Sequence, residues 1–154
     1  MTAARDDDEM FAALHAALPV RLFTITVHDL PARLFRRVWT SDPGIYPVPG
    51  TKPLVEDDWS RQVIEGGRTF VANSPEGFRA LFPDHAGIMA LGCRSAATIP
   101  VRNEAGQVVG TVNLLHDEGW FTPGRLAQCE AVVAGQGPAL AAALARAATK
   151  PRAC

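Results

Sequence analysis

Apolar residues recur at three-to-four spacing from Met10 through Phe11, Leu14 and Leu18, behind an acidic run from Asp6 to Glu9. That period predicts an amphipathic helix over 6–18, its acidic residues at the positive end of the helix dipole. Pro19 stops it. Over 20–28 the period changes to two: Phe23, Ile25 and Val27 alternate with Leu22, Thr24 and Thr26. This is a strand. Asp29 to Ala32 turns the chain into a second strand over 33–40, and the two make an antiparallel hairpin. Phe35 and Trp39 are expected on one of its faces, Leu34 and Val38 on the other.

The alternation lapses between Ser41 and Pro53. Pro43, Gly44, Pro47, Pro49 and Gly50 exclude regular structure over 43–50. Trp59, Val63 and Ile64 mark a short helix ended by Gly66-Gly67, and Thr69 to Ala72 a brief strand. Ser74 as N-cap with Pro75 at the first helical position opens another helix. A further helical stretch over 83–91 leads to Gly92-Cys93. Ser95–Val101 and Gln107–His116 form a hairpin around Arg102–Gly106. Thr122-Pro123 starts the last helix, whose core stripe is Leu126, Cys129, Val133, Leu140 and Leu144. Pro138 is expected to kink or break it. Hairpins on both sides of a loop-rich middle predict an α+β fold with a central antiparallel sheet.

The chain has 154 residues, enough for one domain, and is 47% hydrophobic and 20% charged, which excludes bulk disorder. A net charge of −1 gives no pull toward nucleic acid or an anionic membrane. The acidic N-terminus has the wrong sign for a signal peptide, and no apolar run is long enough to span a bilayer. The expectation is a cytoplasmic protein with neither nucleic acid nor membrane as partner. Cys93, Cys129 and Cys154 form no CxxC and have no histidine at zinc spacing. No disulfide framework and no metal site are expected. Nor is there a GxGxxG, P-loop or HExxH motif, so no cofactor is expected.

Leu91 to Arg102, followed by Val108 to His116 with its Val109-Gly-Thr-Val-Asn-Leu114 core, resembles the closing strand pair of a GAF domain. The hairpin ending Arg37–Ser41 and the segment Trp59–Thr69 fit the same family. The resemblance covers about 8–147, leaving 1–7 and 148–154 as tails. It implies a five- or six-stranded antiparallel sheet, flanked on one side by the N- and C-terminal helices. On the other side, short helices and loops would form a pocket. It also implies a small-molecule ligand, a sensory or regulatory role, and a homodimer through the terminal helices. No output domain is expected after the last helix.

On that scaffold Trp39, Tyr46, Trp59, Phe70 and Phe82 would surround the pocket, a lining suited to a flat, largely apolar ligand. Ser95, His85 and Asn113 are its candidate polar handles. Asn113, on a strand otherwise of Val, Thr and Leu, needs partners from the local backbone or from the pocket. Arg37 and Lys52 are candidates for a ligand carboxylate or phosphate. Ligand binding would order segments 43–53 and 83–92.

The alternative is an enzyme. Asp84 would orient His85 for acid–base chemistry, or Asp84 merely caps a helix. Cys93 would be a nucleophile with its pKa lowered by Arg94, or a small residue filling a strand entry. One GAF branch, free methionine-R-sulfoxide reductase, uses three cysteines around its pocket. Here Cys129 lies in the terminal helix, Cys154 in the tail, and Met89 where that branch has a strand-leading cysteine, so this activity is disfavoured. His116 reads as a solvated strand end and His28-Asp29 as turn chemistry.

Overall fold

The computed structural model describes residues 3–29, 32–44, 50–53, 58–74, 76 and 92–149. The chain begins with α1 (Ala3–Ala17), then β1 (Leu22–Asp29) and β2 (Leu34–Thr40). After β3 (Gly50–Pro53), the one-turn α2 (Asp58–Ser60) runs into a π-helical turn over Arg61–Glu65. Then come β4 (Phe70–Ala72), β5 (Ser95–Arg102) and β6 (Val108–His116), and the helices α3 (Pro123–Gly135) and α4 (Gly137–Thr149). The strands form one six-stranded sheet in the order β3-β2-β1-β6-β5-β4. Every neighbouring pair is antiparallel.

The period-two pattern of β1 becomes the two faces of this sheet. Phe23, Ile25 and Val27 join Val112 and Leu114 of β6, and Ala97, Ile99 and Val101 of β5, in one apolar core. α1 contributes Phe11 and Leu14 to it, joined by Leu18 just past its end; α3 and α4 contribute Cys129, Val133, Leu140 and Leu144. The terminal helices therefore share one side of the sheet, as the resemblance implied. Gly110 makes this packing possible. A Cβ there would lie 2.3 Å from the Thr26 carbonyl oxygen and 2.6 Å from Leu144 Cδ1.

Two local expectations need correction, and the break expected at Pro138 is present but slightly earlier. Gly50–Pro53, placed in an irregular loop, is an edge strand on β2. An edge tolerates Pro53 because one side of the strand has no ladder partner. Phe35 and Trp39 do not share a face. The register passes from Ile25 opposite Trp39 to Thr26 opposite Arg37, leaving Val38 as the extra residue of a bulge. Last, the terminal helix breaks at Gln136, two residues before Pro138. Pro138 thus falls in the first turn of α4, where its missing N–H costs no helical hydrogen bond. Thr122 caps α3 as expected, accepting from the Arg125 N–H at 3.3 Å.

The helical starts expected at Ser74-Pro75 and over 83–91 fall on or beside residues outside those described.

Candidate functional site

The sheet face turned away from the terminal helices carries a row of side chains crossing five strands. Register places Thr40 opposite Thr24, Thr24 opposite Asn113, Asn113 opposite Thr98 and Thr98 opposite Phe70. Directly opposed residues of an antiparallel ladder project to the same side. The next row is Thr26, Thr111 and Pro100, with Arg37 at its β2 end. Thr24, Thr98 and Thr111 are buried, and Thr26 and Asn113 half-buried. The centre of this face is an uncharged, hydrogen-bonding floor.

Asn113 organises it. Its Nδ2 donates to Thr24 Oγ1 and to Thr26 Oγ1, both at 3.1 Å, and reaches the Thr24 carbonyl at 3.5 Å. Its chief partners are thus cross-strand hydroxyls rather than the local backbone, and it lies on the sheet face opposite the terminal helices. The threonines themselves were not expected as site residues. Their signal was the Thr24/Thr26 alternation in β1, read only as evidence for a strand.

Aromatic residues stand at two margins of the floor. Phe35, opposite His28, meets Trp59 edge-on with ring centroids 5.5 Å apart. Phe70 ends the long row on β4. Trp59 and Phe70 therefore take the side expected of them. Trp39 does not. It sits on the helix-covered face, edge-on to Phe23 at 5.7 Å and beside His15 at 5.8 Å. The bulge at Val38 is the cause. Ser95 is also away from the floor: its hydroxyl donates to the Asp117 carbonyl at 2.5 Å, tying the start of β5 to the end of β6. Lys52 pairs with Phe35 at the β3 edge. Tyr46, Phe82, Asp84, His85 and Met89 lie outside the described residues.

Cys93 is fully buried before β5. Burial pushes its thiol up to about 11, against the smaller opposing pull of Arg21 and then Arg94. The expected lowering by Arg94 is thus reversed, because desolvation of a thiolate outweighs a nearby guanidinium here. Cys129 is raised by burial as well. His116 is no solvated strand end; it is half-buried and meets Trp120 edge-on at 4.7 Å. His28 is buried too, while Asp29 does take the turn role, accepting from the Ala32 N–H at 3.2 Å and pairing with Arg36. Among the described residues no cluster of His, Cys, Asp or Glu could hold a metal ion, and no helix is long and apolar enough to cross a membrane.

No protein-family model matches the chain, and no curated protein does. Solved structures match along nearly its whole length. The GAF domain/HD domain protein from Geobacter sulfurreducens superposes with a TM-score of 0.69 at 15% identity, over 93% of this chain and 94% of that one. The GAF domain of an Acinetobacter phosphoenolpyruvate-protein phosphotransferase gives 0.68 at 12%, over 99% and 89%. The type II free methionine-R-sulfoxide reductase from Thermoplasma acidophilum gives 0.66 at 12%, over 95% and 96%.

Proposed function

We propose, from the premise that this chain has the GAF-domain fold, that it is a sensory or regulatory domain binding a small metabolite on the helix-free face of its sheet. The observation that carries the reading is the Asn113–Thr24–Thr26 cluster within a floor of threonines. A sheet face meant only to pack would be apolar, since a buried hydroxyl or amide gains nothing over an aliphatic side chain without a partner. The ligand class follows from the lining. Uncharged hydroxyls and an amide suit carbonyl, hydroxyl or ring-nitrogen groups, and the Trp59 and Phe70 margins suit a flat body. Two copies would pair through the terminal helices and pass on a ligand-dependent ordering of the segments around the floor.

A catalytic reading has less support. A thiol nucleophile at Cys93 is opposed by its burial and raised pKa. Sulfoxide reduction gains nothing from Cys93 and Cys129, which sit before β5 and on α3, both buried.

Native against denaturing mass spectrometry of the purified protein tests the proposal, followed by a thermal-shift metabolite screen on wild type, Asn113→Ala and Trp59→Ala. The expected result is a non-covalent ligand or a stabilising metabolite whose effect falls in both variants. A ligand that binds both variants as tightly as wild type would overturn the site. Light scattering of the same sample should give two copies per particle; a monomer with and without ligand would remove the helix-pairing part.

A further inference from the structure

At the end of the sheet, beyond the polar floor, lies a cavity of about 510 Å³. The end of β1 (Val27, His28), the start of β6 (Val108), the π-turn (Ile64) and α4 (Ala145) line it. Glu65 and Arg102 also contribute. It is spacious enough for a small organic molecule, since ligand pockets run to ~300–1,000 Å³. Roughly half of its lining is aliphatic and the rest is glycine and the exposed polar Glu65, Arg102 and Gln107, with one buried polar side chain among them. His28 is 7% exposed; the Val108 backbone approaches the ring closely enough to favour its protonated form, but neither nitrogen makes a hydrogen bond of good geometry. Its edge-on contact with Phe35, centroids 5.2 Å apart, holds the ring in place without satisfying either nitrogen. Buried polar atoms are nearly always paired, so an imidazole left with the Val108 backbone as its one polar neighbour has a nitrogen free for a partner inside the cavity.

We propose that this cavity is a second ligand site, separate from the sheet-face floor, which takes a small uncharged molecule with an apolar body and one hydrogen-bonding group read by His28. Charge selection follows from the lining. Burial pushes the imidazole down to about 4, so near neutral pH it offers one N–H and one bare nitrogen and no charge. Arg102 and Glu65 are exposed and of opposite sign, and Arg102 Nη2 already donates to the Gly67 carbonyl at 2.5 Å. A charged ligand would lose its hydration with no net counter-charge to meet it.

Three probes of one size separate the terms: phenol, toluene and benzoate, titrated into isotope-labelled full-length protein and followed by NMR. Phenol should shift the His28 ring signals together with the Val27 and Val108 methyls. Toluene should bind there about fivefold more weakly, the worth of one net hydrogen bond, and benzoate more weakly than phenol. His28→Gln keeps a donor and an acceptor and should keep the phenol preference; His28→Leu should bind phenol and toluene alike. Ala145→Phe, on an exposed position at the cavity, should remove the phenol shifts while leaving the circular dichroism spectrum unchanged. It decides the matter even where a His28 variant fails to fold. Shifts confined to Thr24 and Asn113, equal binding of phenol and toluene to wild type, or tightest binding by benzoate would each overturn the proposal.

Discussion

Arg146, near the end of the chain, grips Asp7, near its beginning. Nη2 donates to Oδ1 at 2.6 Å and Nε to Oδ2 at 3.0 Å. The pair joins α4 to α1 across the side of the domain that carries the core, with Asp7 largely buried and Arg146 half-exposed. Paired N–H donors on one carboxylate make this stronger than an ordinary surface ion pair. Asp7→Ala and Arg146→Ala should each lower stability by about 1 kcal/mol, and the double variant should cost clearly less than the sum. Urea denaturation of the four proteins reads the coupling. A purely additive cycle would mean that the helices are held by their apolar contacts alone.

Gly110→Ala should be among the most damaging single-atom additions in the domain. The new methyl meets backbone at Thr26 as well as the Leu144 side chain, and overpacking of this kind costs about 1–3 kcal/mol or more. Adding Leu144→Ala should not rescue it, because the closer obstacle is a carbonyl that no side-chain truncation moves. Thermal melts of the single and double variants test both statements.

His28 sets a pH dependence whose sign is fixed. The ring titrates near 6.5 when the chain is unfolded and about 4 when folded, because burial disfavours the imidazolium. Above 6.5 both states are neutral and the residue contributes nothing. As the pH falls from 6.5 toward 4 only the unfolded state takes up the proton, so stability drops across that window and then levels off. His15 and His116, also lowered chiefly by burial, act in the same direction. Stability measured by urea against pH should flatten over this window in His28→Leu; an unchanged slope would place the dependence on the other two histidines.

Cys93 should be nearly inert while the domain is folded. A thiol at about 11 is almost entirely protonated near neutral pH, and only the thiolate is alkylated. Iodoacetamide should modify Cys93 at least a hundredfold more slowly than a free thiol, with full reactivity recovered in denaturant. Peptide mass spectrometry gives the rate at that site directly.

The sheet was legible where the sequence alternates without interruption. β1 alternates cleanly from Phe23 to Val27, and the β5–β6 hairpin has a turn of unambiguous composition. β2 was legible as a strand but not in its facing, because a one-residue bulge leaves no trace in the apolar pattern of Leu34 to Thr40 and yet reverses every side chain beyond it. That reversal moved Trp39 from the expected pocket to the core. His28 was missed for a related reason. Adjacent to Asp29 it looks like part of a turn, whereas strand parity already assigns it to the side of Thr24 and Thr26. Its burial depends on the π-turn and the β5–β6 hairpin, which come much later in the chain. The threonine floor was in plain sight in the alternation, but a polar face on a strand ordinarily signals solvent, and only the full row across β5 and β6 shows otherwise.

The two strands at the middle of the sheet, β1 and β6, are almost as far apart along the chain as any two strands can be. During synthesis, β1 and β2 emerge early with an apolar surface and an unpaired inner edge. They gain their central neighbour only when β6 leaves the ribosome, and their covering helices later still. Closing so long a loop before any central pairing rewards it slows folding. In the interval the nascent hairpin is a natural client for a chaperone.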